Sequence, residues 1–283
     1  MTLMLGWALG CAAQTEVSVP SLDRRADAPL MLSARWFAAP NPAGPTAPAM
    51  VLLHGCGGMY ASRPVDGVRS LGERELWLAR RLNELGVHAL VLDSLSARGE
   101  TELCTQKIGT RAVTQQHRRL DALGALQWLS AQPGVDAARL GLAGWSNGGS
   151  TVLAASNGRR PEVRRAAVRA SLAVAYYPGC DADLKAGYEP TAPLLLLVGA
   201  EDDWTPAAPC QALAEGARGG PVELALFVGA YHGFDGSTPL RLRRDVPNGV
   251  RPGEGVHVGA HAPSREASRE RLLGFVRQHW RLP

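Results

Sequence analysis

Residues 141–149 have the sequence GLAGWSNGG, and this stretch decides the fold more than any other. It holds the pattern G-x-S-x-G, after an apolar run at residues 139–145 that predicts a strand and before residues 147–156, which predict a helix. A serine at such a junction lies in a tight turn, and glycines two positions away let the flanking chains approach closely. Free N–H groups at the helix start would face developing negative charge. The pattern therefore makes Ser146 a candidate nucleophile, and the alternative is a glycine-lined helix start.

Short apolar runs alternate with longer amphipathic stretches along the chain. Strands are predicted at residues 49–53, 88–92, 139–145, 172–176, 194–198 and 222–228, and helices at 71–85, 112–131, 147–156, 207–217 and 265–280. Strands that alternate with helices imply crossover connections and a parallel sheet. Strands that are apolar throughout are typical of a sheet covered by helices on both faces. We therefore predict an α/β fold with a mostly parallel central sheet and helices on both faces.

Two further residues complete a candidate triad with Ser146. The sequence GAEDDWTP at residues 199–206 follows a late strand, which is where an orienting acid should lie. A glycine three residues before and a proline four residues after favour Asp202, and Asp203 is the alternative. His232 follows the last predicted strand, so the chain order is serine, aspartate, histidine. This order predicts that His232 is the base and that Asp202 holds its imidazole, whereas His257, His261 and His279 are expected at the surface.

The sequence HGCGG at residues 54–58 follows an early strand and is a candidate for binding an oxyanion. The predicted donors are the backbone N–H groups of Cys56 and Asn147, the second being the residue after the nucleophile. His54 is expected to hold this loop rather than to act as a second base. Three aromatic residues flank the triad positions and would either line an acyl pocket or pack in the core: Trp145, Trp204 and Tyr231.

The charge pattern argues against a nucleic-acid partner. The formal net charge is +4, and the arginines come as pairs in different segments, each near acidic residues. Nucleic-acid-binding proteins instead gather such charge on one face or in one run. We therefore expect the pairs at the solvated surface: Arg24–Arg25, Arg80–Arg81, Arg118–Arg119, Arg159–Arg160 and Arg243–Arg244. Since no stretch approaches the roughly 20 apolar residues that a spanning helix needs, we also expect no integral membrane segment.

The first thirteen residues have a composition of their own. An apolar run at residues 3–9 is followed by small residues at 10–13, a pattern typical of a secretory signal cleaved after Ala13. Residues 1–5 carry no Lys or Arg, so a misplaced start or an ordinary N-terminal segment is the alternative. Lipid attachment at Cys11 is disfavoured by Ala8. We expect residues 1–13 to be a signal peptide, residues 14–283 to form one domain, and the location to be periplasmic or secreted, with a cytoplasmic location as the alternative.

The cysteines bear on the compartment. Without Cys11 four remain, and four cysteines permit three pairings. Disulfides would fit an oxidising compartment, and the alternative is four reduced, buried thiols in a cytosolic protein. The sequence has no C-x-x-C and no H-E-x-x-H, so we predict no zinc site. Residues 239–264, rich in Gly, Pro and charge, are predicted as a long irregular loop, a kind of segment that is often functional.

Seven stretches together resemble the dienelactone hydrolase family of the α/β-hydrolase superfamily. They are LLHGCGG (52–58), LDSLSARG (92–99), RLDALGALQWL (119–129), GLAGWSNGG (141–149), YYPGC (176–180), GAEDDWTPAAPC (199–210) and YHGFD (231–235). The resemblance implies an α/β-hydrolase fold and hydrolysis of a small-molecule ester or lactone by Ser146, His232 and Asp202, with no metal or organic cofactor. Founding members use cysteine as nucleophile, whereas this chain has serine, as exported relatives do. Those relatives also imply the disulfides Cys56–Cys104 and Cys180–Cys210.

Rival functions differ in what they require of the chain. A peptidase or an acyltransferase is possible on the same fold, and fold alone does not choose between them. A peptidase usually carries an added propeller or lid domain, for which the chain has no length. A non-catalytic binding relative would be expected to have lost a triad member. Cys56 as the nucleophile is disfavoured because it lies off the serine turn.

Overall fold

An eight-stranded sheet forms the centre of the computed structural model, which describes residues 14–40, 42, 44–61 and 69–283. The candidate signal peptide at residues 1–13 lies outside the described residues. The strands are β1 (Gln14–Arg25), β2 (Ala28–Phe37), β3 (Ala47–Leu53), β4 (His88–Leu92), β5 (Val135–Trp145), β6 (Leu172–Tyr176), β7 (Leu194–Gly199) and β8 (Val222–Phe227). Their order in the sheet is β1-β2-β4-β3-β5-β6-β7-β8.

The six strands from β4 to β8 in the sheet order pair in parallel, whereas β2 runs antiparallel to both of its neighbours, β1 and β4. The carboxyl ends of parallel strands meet at one edge, where the loops that follow β3, β5, β7 and β8 come together. These are the loops that carry the residues singled out by sequence. The predicted mostly parallel sheet is therefore confirmed.

Helices cover both faces of the sheet, as predicted. They are α1 (Glu73–Glu84), α2 (Gln115–Ser130), α3 (Asn147–Ser156), α4 (Pro161–Arg165), α5 (Asp181–Ala186), α6 (Ala207–Gly216) and α7 (Ala262–Trp280). Alternate residues of a strand point to opposite faces. On β3, Val51 and Leu53 accordingly pack in the core beneath α2, α3 and α6, whereas Met50 and Leu52 pack beneath α1 and α7. No helix in the described part of the chain is long and apolar enough to cross a membrane.

Four strands were not predicted. The hairpin of β1 and β2 is exposed along much of its length and is interrupted by Pro20 and by charged residues, so it lacks a clean apolar alternation. Strands β9 (Arg241–Arg243) and β10 (Val256–Val258) form a second, two-stranded sheet within residues 239–264. Three-residue strands are too short for a periodic signal. The prediction of an irregular loop was therefore wrong at these two strands.

The surface prediction was also wrong for one arginine pair. Arg118 is fully buried and Arg119 is 8% exposed, although both were expected in solvent. Arg119 makes a salt bridge of 3.0 Å with Glu162 on α4. Arg118 turns inward and binds oxygen atoms at the carboxyl edge of the sheet, which the next subsection describes. Local sequence patterns do not indicate the partners of Arg118 and Arg119, because these partners lie far away along the chain.

Helix α2 packs directly on the backbone of β1 at Gly124. A Cβ atom on this residue would lie 2.4 Å from the carbonyl oxygen of Pro20. We expect Gly124→Ala to lower the free energy of unfolding by about 1–3 kcal/mol, because helix and strand would have to separate. Gly274→Ala is the matched control in α7, where a Cβ meets nothing within 4 Å. It should raise stability by about 0.5–1 kcal/mol. Urea denaturation followed by circular dichroism measures both, and equal effects would contradict the packing.

Candidate active site

Ser146 lies at the junction of β5 and α3 in a strained backbone conformation. Its φ is 54° and its ψ is −116°, in a region that residues with a side chain rarely adopt. The N–H of Ser146 donates to the carbonyl oxygen of Tyr176 at 2.9 Å. A Cβ on Gly148 would lie 2.0 Å from the carbonyl oxygen of Leu53. The glycine therefore lets α3 begin directly against the end of β3, and this contact holds the turn in place.

The structure brings the three predicted triad residues into one hydrogen-bonded row. The hydroxyl of Ser146 lies 2.8 Å from Nε2 of His232, and Nδ1 of His232 lies 2.8 Å from Oδ2 of Asp202. Because a carboxylate only accepts, Nδ1 carries the proton and Nε2 is free to accept from the serine. Both His232 and Asp202 are buried. The arrangement is the one that a serine, its base and an orienting acid require.

Backbone N–H groups fix the carboxylate of Asp202, and the Thr205 hydroxyl lies beside it. The N–H groups of Trp204 and Thr205 donate to its Oδ1 at 2.9 and 2.8 Å. The Thr205 hydroxyl donates to the carbonyl oxygen of Tyr177 at 3.0 Å and lies 3.1 Å from Nδ1 of His232. These bonds leave Oδ2 aimed at the imidazole.

Asp203, the alternative acid, binds a different histidine. It accepts the backbone N–H of His257 at 2.8 Å, and its Oδ2 lies 2.7 Å from Nδ1 of the same residue. His257 belongs to β10, and the next residue of this strand, Val258, forms a parallel β-bridge with His232. Asp203 therefore connects the loop that carries Asp202 to the strand that runs beside His232. His257 is partly exposed, as expected, but it is not merely a surface residue.

The loop at residues 54–58 passes beside the serine. A Cβ on Gly55 would lie 3.8 Å from Cβ of Ser146. Among the described residues, the backbone N–H groups of Cys56 and Asn147 have no acceptor in the chain. Free N–H groups on the two segments that flank Ser146 are candidates for binding an oxyanion.

Arg118 and His54 support this loop from inside, and sequence reasoning missed Arg118. The guanidinium donates to the carbonyl oxygen of His54 at 2.8 Å and to the side-chain oxygen of Asn147. Burial and then the charge of Arg118 lower the pKa of His54 to about 3, so the imidazole is neutral. Its Nε2 accepts the N–H of Ser94 at 3.3 Å, and its Nδ1 lies 2.6 Å from the carbonyl oxygen of Gly55. His54 thus holds the loop, as expected, and has no proton acceptor to offer the serine.

Asp235 is a second residue that sequence reasoning did not single out. It accepts the indole N–H of Trp145 at 2.9 Å, the phenol of Tyr177 at 2.6 Å and Nε of Arg74 at 2.8 Å. Burial raises the pKa of Tyr177, so its hydroxyl stays protonated and donates. The YHGFD stretch carries both His232 and Asp235, so this network anchors the histidine loop to Trp145, the residue that precedes Ser146.

The three aromatic residues that flank the triad have different environments. Trp145 is 3% exposed and stacks on Tyr176, so it packs in the core and does not line a pocket. Trp204 is partly exposed, and its ring lies 4.6 Å from the ring of His232. The ring of Tyr231 lies 5.0 Å from that of His257. Of the three, Trp204 borders the imidazole most directly.

Both implied disulfides are present. Cys56 joins Cys104 and Cys180 joins Cys210. The first fastens the loop that carries the free N–H of Cys56 to the segment that follows β4, and the N–H of Leu103 donates to the Cys56 carbonyl at 2.7 Å. The second fastens the start of α5 to α6, the helix that follows the Asp202 loop. Each bond therefore braces one of the loops around Ser146.

Comparison with known proteins identifies one family. The family model of the dienelactone hydrolase family matches residues 38–279. A dienelactone hydrolase-like promiscuous phosphotriesterase from metagenomic libraries is 18% identical, with a TM-score of 0.65 over 96% of this chain and 100% of that one. A dienelactone hydrolase from Anabaena variabilis is 22% identical, with a TM-score of 0.55 over 78% and 88% of the two chains. A lipase/esterase from Lactobacillus plantarum is 18% identical, with a TM-score of 0.54 over 76% and 92%. No curated protein matches the sequence. At these identities the structural likenesses show the fold alone.

The disulfides lead to a prediction about stability. Replacing Cys180 and Cys210 together by serine should lower the free energy of unfolding by about 2–4 kcal/mol, because the unfolded chain regains the freedom of a closed loop. The pair Cys56 and Cys104 should give a similar loss. Thermal melting with and without dithiothreitol checks both, and reductant should have no effect on a variant that lacks all four cysteines. Identical melting curves of the parent protein in the two conditions would refute the disulfides.

Proposed function

The chain belongs to the dienelactone hydrolase family, and from that premise we propose that it hydrolyses a carboxylic ester or lactone through an acyl-enzyme on Ser146. The observation that carries the proposal is the hydrogen-bonded row from Ser146 through His232 to Asp202, with both distances at 2.8 Å. The two free N–H groups beside the serine support it. The fold and family support hydrolase chemistry in general, and the row of side chains supports this form of it.

Acylation begins with proton transfer from the Ser146 hydroxyl to Nε2 of His232. The serine oxygen attacks the carbonyl carbon, and the carbonyl electron pair moves onto oxygen to give a tetrahedral oxyanion. Asp202 stabilises the imidazolium that forms. When the oxyanion collapses, the bond to the leaving alkoxide breaks, and that oxygen takes the proton from Nε2 of His232. The products are an alcohol and an ester of Ser146; for a lactone the alcohol stays attached to the acyl group.

Deacylation repeats these steps with water in place of the serine. His232 takes a proton from the water, the hydroxide attacks the acyl carbon, and a second oxyanion forms. Its collapse breaks the bond to Ser146, whose oxygen takes back the proton from His232. The N–H groups of Cys56 and Asn147 would donate to both oxyanions, and loss of one such donor typically costs about 3–4 kcal/mol of barrier.

The setting of the enzyme is part of the proposal. Residues 14–283 would form one domain, and the main sheet with its two helical layers draws strands and helices from across this range. The two disulfides fit folding in an oxidising compartment, which favours a periplasmic or secreted location.

The nucleophile is tested by Ser146→Ala. This variant should lose turnover of p-nitrophenyl acetate by a factor on the order of 10⁴ or more, because no group remains to form the acyl-enzyme. Its melting temperature should not fall. A panel of esters and lactones of graded chain length, run on both proteins, would define the substrate class. Equal turnover by the two proteins would refute the proposal.

The acid is tested by a matched pair of substitutions at adjacent positions. Asp202→Asn should lower kcat by about 10⁴, because the amide no longer holds His232 in the required tautomer. Asp203→Asn changes the neighbouring carboxylate in the same way and should keep kcat within about tenfold, since its partner is His257. Steady-state kinetics on p-nitrophenyl acetate compare them. The assignment is wrong if Asp203→Asn is the more damaging of the two.

A further inference from the structure

Arg118 is a buried cation whose direct partners are neutral. Its side chain is fully buried in α2, and burial lowers its pKa only to about 10, so it is charged at neutral pH. It donates to the carbonyl oxygen of His54 and to the side-chain oxygen of Asn147. Among the described residues it makes no salt bridge, and its Nε–H has no hydrogen-bond partner. The positive charge is therefore not neutralised by direct contact.

The acidic groups nearest to Arg118 are engaged elsewhere. Asp121 accepts two nitrogens of Arg98 at 2.8 Å and the hydroxyl of Ser21 at 2.6 Å. Asp93 accepts the backbone N–H groups of Leu95 and Ser96 at 2.9 and 3.1 Å. The other charged groups near Arg118 are two further cations, Arg98 and Arg111, and the nearby imidazole of His54 is neutral. These groups moderate the charge of Arg118 without pairing with it.

A buried cation without an ion pair is costly for folding. Charged groups lose hydration on burial, and an apolar side chain of similar volume is often more stabilising at such a position. The buried Nε–H, which has no hydrogen-bond partner, adds a further cost. Stability alone therefore does not account for an arginine here.

The two hydrogen bonds of Arg118 reach the two segments that carry the proposed oxyanion donors. One bond holds the carbonyl of His54, two residues before Cys56, and the other holds the side chain of Asn147 itself. The carbonyl of Asn147 is also held from α2, by the amide of Gln115 at 3.1 Å. Helix α2 thus fixes both donors relative to each other.

We propose that Arg118 is a positioning residue for the oxyanion hole and that its unpaired positive charge stabilises the tetrahedral oxyanion. The inference rests on the proposed function. A fixed charge in a water-poor interior acts more strongly than one in solvent, and it needs no reorganisation as the oxyanion forms. In the transition state the oxyanion supplies a negative charge for Arg118, which has no ion-pair partner among the described residues of the folded protein. The ground-state ester is neutral, so the charge should favour the oxyanion over the substrate.

The main test replaces Arg118 by glutamine and by lysine. Arg118→Gln should lower kcat for p-nitrophenyl acetate by about 10- to 100-fold, less than loss of a direct donor, with KM changed by less than about threefold. Affinity for an aryl trifluoromethyl ketone, which forms a tetrahedral anion on the serine, should fall by a similar factor. Arg118→Lys keeps the charge and should recover about half of this loss on a logarithmic scale. Labelling of Ser146 by a fluorophosphonate normalises all rates to folded enzyme.

A neighbouring arginine provides the control. Arg119→Gln removes a buried arginine from the same helix, but its partner is Glu162 and it touches no group of the site. It should leave kcat unchanged at a temperature where the protein is folded. Wild-type kcat in Arg118→Gln, or no difference between the lysine and glutamine variants, would overturn the proposal.

A second pair of variants keeps the test open if position 118 tolerates no change. Asn147→Asp offers Arg118 an ion-pair partner, and Asn147→Ala removes the acceptor; both keep the backbone N–H. The aspartate variant should melt no lower than the alanine variant and yet have a kcat at least about tenfold lower, because its carboxylate neutralises the cation. Equal kcat values would overturn the proposal. A wild-type protein without ester turnover and without labelling of Ser146 would instead refute the proposed function itself.

Discussion

The positive φ of Ser146 is the constraint around which the carboxyl edge of the sheet is organised. A residue with a side chain held in this region costs about 1–3 kcal/mol, so the surrounding packing has to impose it. The bond from its N–H to the Tyr176 carbonyl does so from β6, and the contact of Gly148 with Leu53 does so from β3. The result is a hydroxyl raised above the sheet, at the height where the loops after β7 and β8 present a carboxylate and an imidazole.

Two buried charged residues, Asp235 and Arg118, stabilise this arrangement through their hydrogen bonds. Asp235 connects the strand that precedes the serine with the loop that carries His232, through its bonds to Trp145 and Tyr177. Arg118 connects the loop after β3 with the first residue of α3. Both residues are buried, and the partners of each lie in separate parts of the chain. Neither side chain is hydrogen-bonded to the hydroxyl of Ser146, yet each is bonded to segments that carry the row of side chains or the free N–H groups.

Local patterns were sufficient to predict six strands of the sheet and the three residues of the row. Strands such as β7 are apolar throughout, and the glycine and proline around Asp202 are local signals. Sequence left open whether Asp202 or Asp203 binds His232, because adjacent acids differ only in direction once the loop has folded.

The hairpin of β1 and β2 and the short strands β9 and β10 carry too little apolar periodicity to be recognised. The scattered arginine pairs near acidic residues predict that Arg118 is exposed, and only tertiary contacts with His54 and Asn147 make its burial tolerable. Such contacts join residues from distant parts of the chain, and no local pattern reports them.

The bond between Cys56 and Cys104 joins residues 48 positions apart, and the loop it fastens carries one of the two free N–H groups. The placement of that group relative to Ser146 therefore depends on a covalent bond that forms after synthesis. Two molecules with the same sequence differ in this loop if the bond between Cys56 and Cys104 has been formed by oxidation in only one of them. The oxidation state of the chain, and not its sequence alone, then determines the geometry of this loop beside Ser146.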